Sequence, residues 1–241
     1  FIFGGEKTEI CISVDSNYVL FINGRFVNSG QYPDFPYYKV YDKLDITEYC
    51  KEGENILAVT VWYYGLPNTQ TYYKGEASLC YEVYTEKDTL CYSGTETLSR
   101  ISPEYKNGYG KIITPQLGLS YMYYAVNQDN WKTGDLIGFK PSVTFPRFSN
   151  MFERPVKKLE IGEECQTVLV KSDGGTHFLY DIGYEEVGYF RIRLYSEEEQ
   201  KITVCYGEHI ADGGVRRIID YRDFSFEIVV GEGYTDYTNF F

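Results

Sequence analysis

Apolar side chains recur at every second residue along most of this chain, and no segment carries a 3.6-residue apolar stripe over three turns. That periodicity commits the chain to strands, so the fold class is read as all-β. The clearest unit spans residues 18–27, where Asn23-Gly24 separates two β-rich runs. Both residues tolerate positive φ, which the tight type I′ hairpin requires. Residues 45–50 read as one helical turn capped by Asp45, and 51–54 turn the chain into 55–64. The run 55–64 is apolar on both faces, as a central strand of a sandwich should be. Further strands are expected at 77–84, 89–92, 119–126, 167–171, 188–195, 201–206 and 225–230. Short strands with Gly and Asn turns between them favour two jelly-roll-like β-sandwiches in tandem.

At 241 residues the chain has room for two modest domains. The expected division is a first sandwich over 1–140, a Pro-rich linker over 141–155 and a second sandwich over 156–241. In the second, Phe190, Ile192 and Leu194 should face a core while Arg191 and Arg193 face water. Phe1 is not a methionine, and the chain stops directly after a strand-like run, so a fragment of a longer protein is expected.

A net charge of −12 argues against nucleic acid or anionic lipid as the main partner, because phosphate is repelled. No stretch approaches the ~20 apolar residues of a membrane helix, and no basic segment followed by an apolar one opens the sequence as a secretory signal would. The six cysteines (Cys11, Cys50, Cys80, Cys91, Cys165, Cys205) show no C-x-x-C spacing, and three fall within strands. They read as reduced thiols acting as small hydrophobes, which points to a cytoplasmic location.

Motifs for chemistry are missing. There is no G-x-S-x-G, no phosphate-binding loop and no dinucleotide fingerprint, and the only histidines are His177 and His209, far apart in sequence. Glu208 and Asp212 offer a carboxylate pair, but Asp-Gly-Gly after a strand is first of all a turn. No catalytic residue, metal or cofactor is expected. Aromatics dominate instead: 26 Tyr, 15 Phe and 2 Trp, with tyrosines outnumbering the 23 lysines and arginines together. Trp62, Tyr64, Tyr38 and Tyr73 are the candidate carbohydrate-binding residues, since an aromatic ring suits the apolar face of a pyranose. Adjacent tyrosines point to opposite faces of a strand, so at most half of each pair can line one surface. Packing accounts for the rest.

Two groups of segments carry a resemblance. Asn17-Tyr-Val-Leu-Phe-Ile-Asn-Gly-Arg-Phe-Val27, Tyr41-Asp-Lys-Leu-Asp-Ile-Thr47 and Gly53-Glu-Asn-Ile-Leu-Ala-Val59 resemble the jelly-roll accessory domain of bacterial α-L-rhamnosidases. Tyr180-Asp-Ile-Gly-Tyr-Glu-Glu-Val-Gly-Tyr189, Val204-Cys-Tyr-Gly-Glu208, Asp212-Gly213 and Tyr237-Thr-Asn-Phe-Phe241 are similar to the β-sandwich preceding the catalytic barrel of those enzymes. The resemblance implies a non-catalytic region supporting an (α/α)6 barrel elsewhere in the same polypeptide, where the family's acidic general acid and base reside. None of those residues maps onto this chain. Where the family often has an acidic residue after a tyrosine, this chain has Tyr124, and the ligands of the family's calcium-dependent rhamnose module find no match here. The expected partners are therefore the catalytic barrel and a rhamnose-containing carbohydrate. The alternatives are a self-standing carbohydrate-binding module and a sandwich pair that mediates homodimerisation.

Overall fold

The structure, a computed structural model, describes residues 1–31, 35, 37–67, 74–114, 116–146, 150–158 and 160–241. These residues form strands and three short 3-10 turns, with no α-helix among them, so the protein is all-β. The chain divides into two compact units, Phe1–Pro103 with Asn127–Val156 and Phe240–Phe241, and Glu104–Val126 with Lys157–Asn239.

In the first unit a five-stranded sheet has the order Met151–Glu153, Lys39–Asp45, Glu9–Asp15, Ser78–Tyr84, Thr89–Tyr92. A three-stranded sheet has the order Arg25–Gly30, Asn17–Ile22, Leu57–Trp62. Alternate residues of the two sheets meet: Ile10, Ile12 and Val14 from one, Tyr18, Leu20 and Ile22 from the other, closed by Ile46 and Val83. Each is at most 1% exposed. The intervening residues Val19, Phe21 and Ala58 are also buried, beneath Phe26, Ile56, Trp131 and the terminal Phe240 and Phe241. The Asn17–Ile22 strand is thus covered on both faces, which is why its sequence is apolar without alternation.

The Asn23-Gly24 turn forms as the sequence requires, with φ of 51° and 79°. A side chain at Gly24 would come within 2.8 Å of the Thr133 methyl, a second reason for glycine there. Asn23 does more than turn the chain. Its Nδ2 donates to Asn55 Oδ1 at 2.8 Å, and its Oδ1 accepts from the Ile56 amide at 3.1 Å. At the expected helical turn, Thr47–Tyr49 is 3-10, and Asp45 Oδ1 accepts from the Thr47 amide and hydroxyl.

The second unit has a three-stranded sheet in which Ser225–Val230 is central. It pairs antiparallel with Gln200–Cys205 and parallel with Met122–Tyr124. Separate hairpins pair Val168–Ser172 with Phe178–Asp181, and Arg191–Ser196 with Gly233–Thr238. As expected, Ile192 and Leu194 are half-buried while Arg191 and Arg193 are exposed. The core is aromatic. Phe226 stacks on Tyr121 at 5.0 Å and meets Phe190 edge-on at 5.5 Å, while Tyr237 lies 4.4 Å from Tyr123. Buried phenols bond to one another here: Tyr237 Oη donates to Tyr121 Oη at 2.9 Å, and Tyr123 Oη to Glu104 at 3.2 Å. These tyrosines serve packing, with the hydroxyls given partners when they are taken from water.

The units depart from the expected division of 1–140, 141–155 and 156–241. Residues 104–126 cluster with the second unit, because Met122, Tyr123 and Tyr124 pair with Glu227, Ile228 and Val229. The expected strand 119–126 is interrupted, with Met122–Tyr124 followed by a 3-10 turn at Ala125–Asn127. Nor is 141–155 a linker: Met151–Glu153 is the edge strand beside Lys39–Asp45, and the Arg154 amide donates to the Tyr41 carbonyl. The boundary lies at Val156 and Lys157.

All six cysteines are free thiols. Burial pushes the Cys11, Cys91 and Cys205 thiols up, and raises Cys50 to about 11. Thiolate is the reactive form, so these thiols should react slowly in the folded protein. Cys165 is the exposed one. Ellman's reagent near neutral pH is expected to consume Cys165 first and to reach all six only in denaturant. Fewer than six in denaturant without reductant would contradict the all-thiol assignment.

Candidate functional site

Three of the four aromatic candidates lie within the described residues, and Tyr73 lies outside them. Trp62 ends the Leu57–Trp62 strand and meets Tyr64 edge-on at 4.9 Å and Phe241 at 5.2 Å. Tyr64 is half-buried. Its hydroxyl is hydrogen-bonded to the Asn17 side chain at 2.9 Å, its amide donates to Ser16 Oγ, and burial raises its phenol. Both rings are engaged in packing. Tyr38 belongs to the other sheet's edge, where it stacks on Phe152 at 4.4 Å with ring planes 9° apart.

That edge presents more aromatic surface than the sequence indicated. Phe35 and Tyr37 also stack, at 5.3 Å and 13°. The Phe35 carbonyl accepts from the Tyr38 amide at 2.9 Å, and Phe152 comes from the Met151–Glu153 strand alongside. Tyr37 is 77% exposed, and Phe35, Tyr38 and Phe152 between 39% and 51%. Phe35 and Phe152 were not among the sequence candidates. Three aromatics within four residues around Pro36 were a usable signal, since alternation does not govern a turn. Phe152 carried none, because its place follows from parallel pairing with Val40.

Charged groups lie beneath this edge. Asp42, 1% exposed, accepts from the Tyr18 hydroxyl at 2.6 Å and from Arg154 Nε. Asn28 Nδ2 donates to the same Tyr18 oxygen at 2.7 Å. Burial first, then the adjacent Asp42 charge, pushes the Tyr18 phenol far above its ordinary range. Lys39 and Asp15, both buried, lie 3.9 Å apart. The arrangement fixes two strands in register; it holds no nucleophile paired with a base.

A second ionic cluster lies in the other unit. Arg217 grips Asp223 with both ends of its fork, at 2.9 and 2.8 Å, and Lys111 reaches Asp223 at 2.9 Å and Ser225 Oγ at 2.6 Å. Glu227 takes Tyr109 Oη at 2.9 Å and Lys201 at 2.8 Å. Hydrogen bonding from Arg217 is the largest cause of a strong depression of the Asp223 carboxyl. Burial raises Glu227, but its bonds from Lys201 and Tyr109 outweigh that and leave it lowered. Carboxyls depressed by folding stabilise the native state above their unfolded values of about 4, and that stability is lost as pH falls through the folded ones. The urea midpoint, followed by tyrosine near-ultraviolet circular dichroism of the whole chain, should therefore fall on acidification below about pH 4. Asp223→Asn should lower the midpoint at neutral pH and flatten the acid limb. An unchanged acid limb would rule Asp223 out as its source.

The sequence-suggested carboxylates are exposed. Asp212 and Gly213, with φ of 53° and 78°, turn the hairpin that pairs Ile210–Ala211 with Gly214–Val215. Among the described residues no group of three or more His, Cys, Asp or Glu is placed to hold a metal ion, and no helix is long and apolar enough to cross a membrane.

No family model and no curated protein matches this chain. Among solved structures it is similar to the Streptomyces avermitilis α-L-rhamnosidase complexed with L-rhamnose: TM-score 0.72, 18% identity, covering 98% of this chain and 25% of that one. The native α-L-rhamnosidase of Aspergillus terreus follows at TM-score 0.68, 20% identity and coverage of 98% and 29%. The α-L-rhamnosidase of Dictyoglumus thermophilum gives 0.66, 17%, and coverage of 96% and 27%. At these identities the likeness establishes the fold. The chain spans less than a third of each of these enzymes.

Proposed function

We propose that this chain is a non-catalytic β-sandwich region of an α-L-rhamnosidase-like glycoside hydrolase, supporting a catalytic barrel carried elsewhere in the same polypeptide. The observation that carries the reading is the backbone likeness over 98% of this chain to 25% of the Streptomyces enzyme. The site chemistry supports it. The most buried carboxylates, Asp42 and Asp15, face cations within strands, and Glu208 and Asp212 flank a turn in solvent. Glycoside hydrolysis needs two carboxyl groups facing each other across a bound sugar, one of them kept protonated by its surroundings. Neither arrangement supplies that pair.

A chromogenic α-rhamnoside assay tests the reading on this chain and on the longer polypeptide. Turnover by the longer polypeptide and none by this chain is expected. Robust turnover by this chain alone would overturn the non-catalytic role, and inactivity of both would remove the rhamnoside assignment.

A further inference from the structure

We propose that the stacked pairs Phe35–Tyr37 and Tyr38–Phe152 form a binding platform for a neutral pyranoside, with Tyr37 and Tyr38 offering the open ring faces. In each pair one face of each ring is spent on its partner, at 5.3 and 4.4 Å with planes within 13° of parallel. That stacking holds the rings in place, so little side-chain freedom is left to lose on binding. Both residues keep surface in water, Tyr37 at 77% exposed and Tyr38 at 40%.

Exposed rings grouped in this way are a feature of interaction surfaces. Their chemistry selects the ligand. The electron-rich face of a phenol ring attracts the polarised C–H groups on the apolar side of a pyranose. The phenolic hydroxyls at the rim can donate to and accept from the sugar's own hydroxyls. A net charge of −12 disfavours uronates, sulfated sugars and phosphates.

The foundation is rigid. Tyr38 leads directly into the Lys39–Asp45 strand, and Phe152 lies in the Met151–Glu153 strand paired with it in parallel. Lys39 with Asp15 ties the Lys39–Asp45 strand to Glu9–Asp15, and Arg154, directly after Met151–Glu153, reaches Asp42. A site built on braced strands keeps its rings in register better than one on a free loop.

The ligand class follows from the rings and the net charge, whereas the choice of a rhamnoside as first probe rests on the function proposed above. Calorimetric titration of the whole chain with methyl α-L-rhamnopyranoside, then methyl α-D-glucopyranoside, is the test. A dissociation constant of about 1 mM is expected for at least one of them. Tyr37→Ala and Tyr38→Ala should each weaken it about tenfold or more. Tyr37→Trp should retain it, and Tyr234→Ala, at an equally exposed tyrosine of the other unit, should leave it unchanged. Circular dichroism of every variant should match the parent. Absence of heat with both glycosides would overturn the platform, as would binding that survives both alanine variants. If light scattering instead shows a dimer that Tyr37→Ala dissociates, without sugar binding, the occupant is a second copy and the proposal falls. Binding of the glucoside alone would support the platform while counting against the rhamnoside reading, so the two fail separately.

Discussion

Replacing Arg154 by Met is expected to destabilise the first unit by about 3–5 kcal/mol, the cost of leaving a buried partner charge uncompensated. Asp42 and the Arg154 side chain are 1% and 7% exposed, so neither can recover its lost interaction from bulk water. The Tyr18 hydroxyl would still donate to Asp42, but a neutral donor replaces only part of what a guanidinium supplies. Both tryptophans, Trp62 and Trp131, belong to this unit, so urea unfolding followed by tryptophan fluorescence reports it selectively. The double variant Asp42→Leu/Arg154→Met completes the cycle. Apolar replacements of a buried ion pair often cost little, so the double should lose less than the two singles together. A loss below about 1 kcal/mol in Arg154→Met would show that the pair behaves as a surface bridge.

The second large effect is expected at Phe21. It is 5% exposed and meets Phe26, Trp131 and Phe240 edge-on at 6.2 to 6.3 Å, with Lys132 Nζ 4.8 Å above the ring. Phe21→Ala should cost about 3–5 kcal/mol, combining lost burial with the cavity left behind. The emission maximum of Trp131 should shift to the red in the folded state as its apolar neighbour is lost. Phe240, stacked on Phe26 at 4.2 Å and itself half-buried, should give a smaller loss on truncation to Ala. Equal losses would mean that the terminal residues, rather than Phe21, hold this cluster together.

These two sites differ in how far the sequence disclosed them. Phe21 lies in the run flanking Asn23-Gly24, where a continuous apolar run and a positive-φ turn are local properties that any reader of the chain can find. The same holds for Thr89–Tyr92 and Ser225–Val230, which form over the spans expected. Arg154 stood in a proline-containing stretch without alternation, and nothing local to it announced Asp42, 112 residues away. The carbohydrate candidates divide in the same manner. Trp62, Tyr64 and Tyr38 are all aromatics next to strand ends, yet the first two are packed while Tyr38 stands at an open edge.

The sequence by itself determined the all-β class, the principal hairpin, most strand positions and the thiol state expected of the cysteines, because period, turn chemistry and composition act over a few residues. Only the tertiary structure decided the division into units, the place of 151–153 beside Lys39–Asp45 and of 122–124 beside Ser225–Val230, and which aromatic faces stay in water. Parallel pairing joins segments over a hundred residues apart with no turn to signal it, and a ring's exposure depends on which distant element comes to cover it.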